Sequence, residues 1–250
     1  MLRKSEYAFE EIQSIYFGGG TPTVLEVSEL EVILQTVYEH YKVSDTPEIT
    51  LEANPDDLDE EKIKALSNTK INRLSIGIQS FHESDLAAMN RAHNAAEAKK
   101  CLEIATTYFD NITIDLMFGM PTMSVAQWRQ NLQTAFGFGI KHLSCYALTV
   151  EPKTALEHFI NKGSHPPMDD ELAAKHFEVL LEETATQGLT HYETCSFGHP
   201  DYFSRHNTSY WLGKTYMGVG PSAHSFDGVQ RSWNVSNNSK YIKSLEADLR

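Results

Sequence analysis

Residues 12–22 read IQSIYFGGGTP, a β-rich apolar run (12–17) that stops at three consecutive glycines. Helical patterns separate this run from four further runs of the same kind. Strands that alternate with helices form a parallel sheet with right-handed crossovers, because the helix must return the chain to the start of the next strand. The sequence therefore predicts an α/β fold of successive strand–helix units. The four later runs are residues 48–53, 73–79, 111–118 and 142–149.

Start signals and apolar stripes predict where the helices of these units lie. Ser28 and Glu31 form a capping-box pattern in front of an apolar stripe, and Ser124 and Gln127 form a second one. Residues 94–108 have the pattern of a further helix.

The pattern changes after Pro152. Residues 169–187 predict one long helix, and residues 188–233 are rich in glycine, histidine and aromatic residues without a clear period. Residues 239–250 have a helical pattern. We therefore expect an irregular α+β extension in place of further strand–helix units.

Composition excludes several classes of protein. The 250 residues are 41% apolar and carry a formal net charge of −13, which repels nucleic acid and anionic lipids. No apolar run reaches the roughly 18 residues of a membrane span, and no secretory signal is visible, so a cytoplasmic location is expected. Cys101, Cys145 and Cys195 lack the spacing of metal ligands and predict buried free thiols.

The predicted strands end in residues that suit a small-molecule site. Three glycines, at positions 18–20, let backbone groups approach a ligand closely. The carboxyl ends of parallel strands meet at one rim, so we expect the polar residues at the later strand ends to gather there. Those residues are Glu52, Gln79, Asp115 and Thr149.

Each of these residues also has a purely structural alternative. The glycines could form a tight turn, Glu52 could cap a helix, and Gln79 could satisfy loop backbone. Asp115 could pair with Arg91 in a structural ion pair.

Longer motifs resemble the coproporphyrinogen-oxidase-like group of radical S-adenosylmethionine (SAM) proteins. That resemblance implies an incomplete (βα)6-type parallel barrel lacking its first strand. It would occupy residues 1–165 with barrel strands 2–6, and residues 166–250 would form an incomplete C-terminal α+β extension. The matching segments are YFGGGTP at 16–22, EANP at 52–55, NRLSIGIQSF at 72–81, MNRAH at 89–93, IDLMFGMP at 114–121 and HLSCYALT at 142–149.

The resemblance also implies roles around SAM. The glycine motif would contact the amino group of SAM, chiefly at Gly19, and Glu52 would bind the ribose hydroxyls. Some of the residues match a second SAM site in the oxidases of this group. The complete implied set is Gly18, Gly19, Gly20, Thr21, Glu52, Gln79, Arg91, Asp115 and Thr149.

Two C-terminal motifs resemble the HemW-type heme chaperones within this group. They are HNTSYW at 206–211 and MGVGPSAHSF at 217–226. By this resemblance His206 would be an axial ligand of heme iron, and Tyr210 and Trp211 would cover a porphyrin face. The structural alternative is a histidine packed beside two aromatic residues, and His224 is another candidate ligand.

The resemblance implies a heme chaperone that binds heme and SAM and passes heme to an acceptor protein. Membrane contact would come only through that acceptor. The alternative function is oxygen-independent coproporphyrinogen III oxidase, a radical SAM decarboxylase. A third possibility is a barrel fragment with a scaffold role alone.

Members of this group hold a [4Fe–4S] cluster with a Cys-x-x-x-Cys-x-x-Cys motif upstream of the glycine-rich strand. Residues 1–11 contain no cysteine, so we expect a truncated chain and a cluster in the intact protein only. Without a preceding strand, the strand at 12–17 would expose an apolar edge, which invites association. We therefore expect a homodimer or aggregates, or an edge covered by residues 1–11.

Overall fold

The structure is a computed structural model that describes residues 10–247. It contains two compact units. The larger unit comprises residues 21–24 and 50–203. The smaller unit comprises the described parts of residues 1–20, 25–49 and 204–250.

Helices and strands alternate through the first 150 residues and are shorter afterwards. In chain order they are β1 (Glu11–Phe17), α1 (Val27–His40), β2 (Lys42–Ala53), α2 (Glu60–Ser67), β3 (Arg73–Gln79), α3 (Glu83–Ala88), α4 (Ala95–Tyr108), β4 (Ile112–Phe118), α5 (Val125–Gly137), β5 (His142–Ala147), α6 (Ala155–Asn161), α7 (Asp170–Thr186), β6 (Thr190–His191), β7 (Ser196–Gly198), α8 (Arg205–Trp211), β8 (His224–Phe226), β9 (Arg231–Trp233) and α9 (Asn238–Glu246).

The strand order of the main sheet is β1-β2-β3-β4-β5-β7-β6. From β2 to β5 each strand runs parallel to the next, so the predicted parallel α/β sheet is confirmed. The predicted second strand was too short, because β2 begins at Lys42. The sequence also gave no signal for β6 and β7, which add to the sheet as short antiparallel strands beyond β5.

The core of the larger unit lies between the sheet and its helices. Leu74, Ile114 and Leu143 lie on consecutive parallel strands and are fully buried. Such burial contributes roughly 1.5–3 kcal/mol for each large aliphatic side chain. The indole N–H of Trp128 on α5 donates to the backbone carbonyl of His176 on α7, at 2.8 Å. This bond joins two helices that pack against each other on the sheet.

Helix caps agree with one sequence signal and disagree with another. Ser124 and Gln127 form the predicted capping box of α5. The predicted box at Ser28 and Glu31 is wrong, because α1 already begins at Val27. The carboxylate of Glu29 accepts from the backbone N–H of Glu26 at 2.8 Å. The capping box is therefore formed by Glu26 and Glu29, two residues earlier than predicted.

The smaller unit contains β1, α1, most of β2 and the C-terminal elements. Helix α8 packs against β1. Strands β8 and β9 form an antiparallel hairpin, and an isolated bridge joins Tyr216 to Phe226. Residues 1–11 were predicted to cover the edge of β1, but residues 1–9 lie outside the described residues. Residues 248–250 of the predicted last helix also lie outside them.

Two further findings concern the described residues as a whole. None of the helices between residues 10 and 247 has the length and apolar character required to span a bilayer. The three cysteines are free thiols, as predicted, with Cys101 and Cys145 buried and Cys195 half-buried.

Candidate functional site

Two carboxyl groups lie on parallel strands of the larger unit, one near the end of its strand and the other in the middle. Glu52 is next to the last residue of β2, and Asp115 lies on β4 opposite Ser144 of β5. Burial raises the pKa of Asp115 to about 7, the negative charge of Glu52 adds to the shift, and a hydrogen bond from Ser144 and the charge of Arg91 oppose it. Asp115 therefore exchanges a proton near neutral pH.

The end of β3 is irregular at the position where a ligand site was predicted. The pairing of β3 with β4 shifts register between Ile76 and Gln79, and Gln79 has a φ of +66°. A left-handed conformation is unfavourable for a residue with a Cβ, and outside turns such residues are enriched at functional sites. A Cβ at Gly77 would lie 3.0 Å from Nε2 of Gln79 and 3.2 Å from the guanidinium of Arg91. Glycine at position 77 thus leaves room for both side chains.

Arg91 is held by neutral acceptors. Its guanidinium donates to Oδ1 of Asn54 at 2.7 Å and to the carbonyl oxygen of Gly77 at 3.2 Å. Among the described residues, no ion pair within 4.0 Å joins Arg91 to Asp115, although the charge of Arg91 lowers the pKa of Asp115.

Asn54 is a site residue that sequence reasoning missed. Besides accepting from Arg91, it donates from Nδ2 to Oγ1 of Thr21 at 3.5 Å. Asn54 thereby connects two of the predicted SAM residues, Thr21 and Arg91. Its position in the EANP motif directly after Glu52 and Ala53 was the available signal. Thr149 lies beyond the end of β5 and is exposed.

The three glycines at 18–20 follow β1 in the smaller unit, and all three are exposed. Gly19 has a φ of +81°, which favours glycine at this position. A Cβ at Gly19 or Gly20 would meet no atom within 4 Å, so the surface beside this turn is open.

His206 lies in the first turn of α8, also in the smaller unit. The buried carboxylate of Glu48 on β2 accepts from the backbone N–H groups of Arg205 and His206, at 3.0 and 2.9 Å. Ser204 caps the same helix through the N–H of Asn207 at 3.1 Å. These contacts provide acceptors for N–H groups that have no partner within the helix, and they fix α8 against β2.

The imidazole of His206 is bonded at both nitrogens. Nδ1 lies 2.9 Å from Oγ of Ser14, and Nε2 lies 3.0 Å from the hydroxyl of Tyr210. The ring also stacks on Tyr16, with centroids 4.7 Å apart. Ser14 and Tyr16 are two residues apart on β1, so their side chains lie on the same face of the strand. Burial lowers the pKa of His206 despite the opposing charge of Glu48, so the imidazole is neutral near pH 7.

The aromatic residues that follow His206 face solvent in part. Tyr210 is 44% exposed and Trp211 is 64% exposed. Tyr210 also makes an edge contact with the ring of Tyr216. His224 is exposed on β8, with its ring centroid 6.0 Å from that of Trp233. His206 is therefore the more firmly oriented of the two candidate ligands.

The described residues do not fit an iron–sulfur cluster. Between residues 10 and 247, no group of three or more His, Cys, Asp or Glu side chains is arranged to hold a metal ion. Cys145 and Cys195 are neighbours, since the N–H of Cys145 donates to the carbonyl of Cys195, but Cys101 lies on α4. Burial raises the pKa of all three thiols, which disfavours the thiolate that iron requires.

Curated relatives match nearly the whole chain. The heme chaperone HemW of Bacillus subtilis is 36% identical over 236 residues, which is 93% of this chain and 62% of that protein. HemW of Lactococcus lactis is 30% identical over 98% of this chain and 65% of its own length. The mouse mitochondrial radical S-adenosyl methionine domain-containing protein 1 is 34% identical over 96% of this chain and 54% of its own length. The chain thus spans between about half and two thirds of these relatives.

A solved structure shares the fold. Coproporphyrinogen III oxidase HemN of Escherichia coli, a radical SAM enzyme, superposes with a TM-score of 0.82 at 19% identity, over 98% of this chain and 61% of that one. At this identity the likeness establishes the fold, which is the radical SAM fold predicted from the motifs. In sequence, residues 1–135 match the Radical SAM superfamily, which is more than half of the 250 residues. The chain belongs to the radical SAM superfamily.

Proposed function

We propose that the protein is a heme chaperone that binds heme through His206 and passes it to an acceptor protein. The observation that carries this proposal is a neutral, oriented imidazole on α8, next to the partly exposed rings of Tyr210 and Trp211. The HemW relatives, named as heme chaperones, support it. The acceptor, a homodimer and a cytoplasmic location remain parts of the proposal.

Heme chemistry suits this arrangement. A neutral imidazole nitrogen is a good axial ligand for heme iron, and a second hydrogen bond to the other ring nitrogen orients it. Flat aromatic side chains bury porphyrin surface and stack on it favourably. Helix α8 and β1 supply these groups within one compact unit.

SAM is the proposed cofactor of the superfamily, and its binding residues are a proposal too. In the larger unit, Glu52 would accept from the ribose hydroxyls. Thr21, Gln79, Arg91 and Asp115 would offer further polar groups to a SAM molecule. Gly18–Gly20 and Thr149 complete the predicted set. When bound to a reduced [4Fe–4S] cluster, SAM supplies radical chemistry.

Hemin titration tests the proposed function. We expect residues 1–250 to give a Soret band on hemin binding, and His206→Ala to change the iron-ligation spectrum while Tyr210 and Trp211 retain some affinity. His224→Ala, an equally drastic change at an exposed histidine, is the control and should leave the spectrum unchanged. Identical spectra for the wild type and His206→Ala would remove His206 as the ligand. Absence of hemin binding by the wild type would mean that regions outside residues 1–250 complete the pocket or that the oxidase alternative is right, and the same titration on the full-length protein separates these two outcomes.

A further inference from the structure

We infer that the hydroxyls of Ser14 and Tyr210 form an imidazole clamp on His206, in which Ser14 sets the tautomer and Tyr210 occupies the nitrogen that binds iron. This inference rests on the proposed heme-binding function. Ser14 on β1 is then a positioning residue, and Tyr210 on α8 blocks the iron-binding nitrogen. Both contacts lie within the smaller unit.

Two hydrogen-bond arrangements satisfy the measured distances. Either Nδ1–H donates to Ser14 and Tyr210 donates to Nε2, or Ser14 donates to Nδ1 and Nε2–H donates to Tyr210. A phenol, with a pKa near 10, is a stronger hydrogen-bond donor than an aliphatic alcohol. The first arrangement directs this stronger donor at the bare nitrogen, so we assign the proton to Nδ1.

The two nitrogens differ in their surroundings. The contact of Nδ1 with Ser14 is partly buried, whereas the contact of Nε2 with Tyr210 lies at the exposed side. Nε2 is therefore the nitrogen that would hold heme iron, and the hydroxyl of Tyr210 would first have to leave it. Ser14 keeps its contact throughout, in the way that a hydrogen bond to the remote nitrogen orients metal-binding histidines elsewhere.

The position of Tyr210 permits such a movement. Its side chain is 44% exposed, and its ring rests edge-on against Tyr216. In the heme-free protein its hydroxyl shields Nε2 from other ligands. A rotation of this partly exposed side chain would uncover Nε2.

Substitutions of the two residues that contact the His206 imidazole should change hemin affinity in opposite directions. Tyr210→Phe keeps the ring and removes the bond that iron must break, so hemin should bind about two- to tenfold more tightly. Ser14→Ala frees Nδ1 and should weaken hemin binding about tenfold, whereas Ser14→Thr keeps a hydroxyl and should restore it. Hemin titration of residues 1–250 at fixed pH measures both.

Matched controls separate the clamp from general damage. Tyr216→Phe is the same change on the ring that touches Tyr210, and Ser209→Ala removes a hydroxyl that donates to the backbone of His206 but not to its ring. Both should leave hemin affinity near the wild-type value. Equal or weaker hemin binding by Tyr210→Phe would overturn the blocking role of Tyr210.

A measurement without heme tests the clamp independently. Nitrogen-15 NMR of labelled histidine, with His206→Ala for assignment, should show a protonated Nδ1 and a hydrogen-bonded, bare Nε2 in the wild type. Ser14→Ala should shift protonation towards Nε2, and Tyr210→Phe should move the Nε2 resonance towards that of an unbonded nitrogen. A wild-type proton on Nε2 would overturn the assignment. Failure of the proposed function has a different signature, namely identical hemin spectra for the wild type and His206→Ala.

Discussion

Asp115 shows how one partly buried residue makes the stability of the protein depend on pH. Its folded-state pKa of about 7 lies above the value near 3.9 of an unfolded chain, so the folded state binds the proton more tightly. At low pH this group should therefore increase the free energy of unfolding. That contribution should be lost as the pH rises from about 4 through 7. Above pH 7 the fold contains a carboxylate that burial and Glu52 disfavour.

Replacing Asp115 by Asn removes this penalty. We expect Asp115→Asn to raise the free energy of unfolding above pH 7 by on the order of 1–3 kcal/mol, with little effect near pH 4, in urea titrations at both pH values. The gain should shrink in a Glu52→Gln background, because the charge of Glu52 is one cause of the raised pKa. A gain independent of pH would mean that Asp115 does not titrate near 7.

At the scale of elements, α8 is a short helix that depends on β2 for its position. The two oxygens of Glu48 accept from successive backbone N–H groups at its start, and the carboxylate is buried. Seven residues are too few for a helix to be stable alone in water, so this anchoring decides whether His206 is oriented at all.

Glu48→Gln should loosen α8. The amide presents an N–H group to one of two backbone donors, which leaves that donor unsatisfied at a cost of about 1–3 kcal/mol. We expect faster hydrogen exchange at the amides of residues 205–211 and a lower melting temperature. Glu31→Gln, at an exposed position of α1, is the control for the loss of a charge. Unchanged exchange in α8 would show that Glu48 is not its anchor.

At the scale of the whole molecule, the arrangement of the cysteines determines what residues 1–250 can hold. Two of the three thiols are buried, and burial raises the pKa of each. We expect anaerobic reconstitution of this chain to yield no stoichiometric [4Fe–4S] cluster, as measured by iron and sulfide analysis. A stoichiometric cubane would contradict both the spacing argument and the structure.

Most of the fold was determined by the sequence alone. The alternation of apolar runs with capped helices predicts the parallel strands, because local periodicity reports which face of each element is buried. A three-residue strand such as β7 carries too little periodicity to predict, and only its pairing with β5 and β6 makes it a strand. The start of α1 was predicted wrongly because two cap patterns overlap there, Glu26 with Glu29 and Ser28 with Glu31. The folded backbone uses the first.

For the site, the sequence predicted which residues carry the chemistry, through motifs such as EANP and HNTSYW. Tertiary structure alone decided how they are held. Asn54 bridges Thr21 and Arg91, and Ser14, 192 residues before His206, bonds to its imidazole. Hydrogen bonds between side chains distant in sequence depend on distances of about 3 Å, and no local pattern specifies them. The same holds for the pKa of Asp115, which arises from burial and neighbouring charges that exist only after the chain has folded.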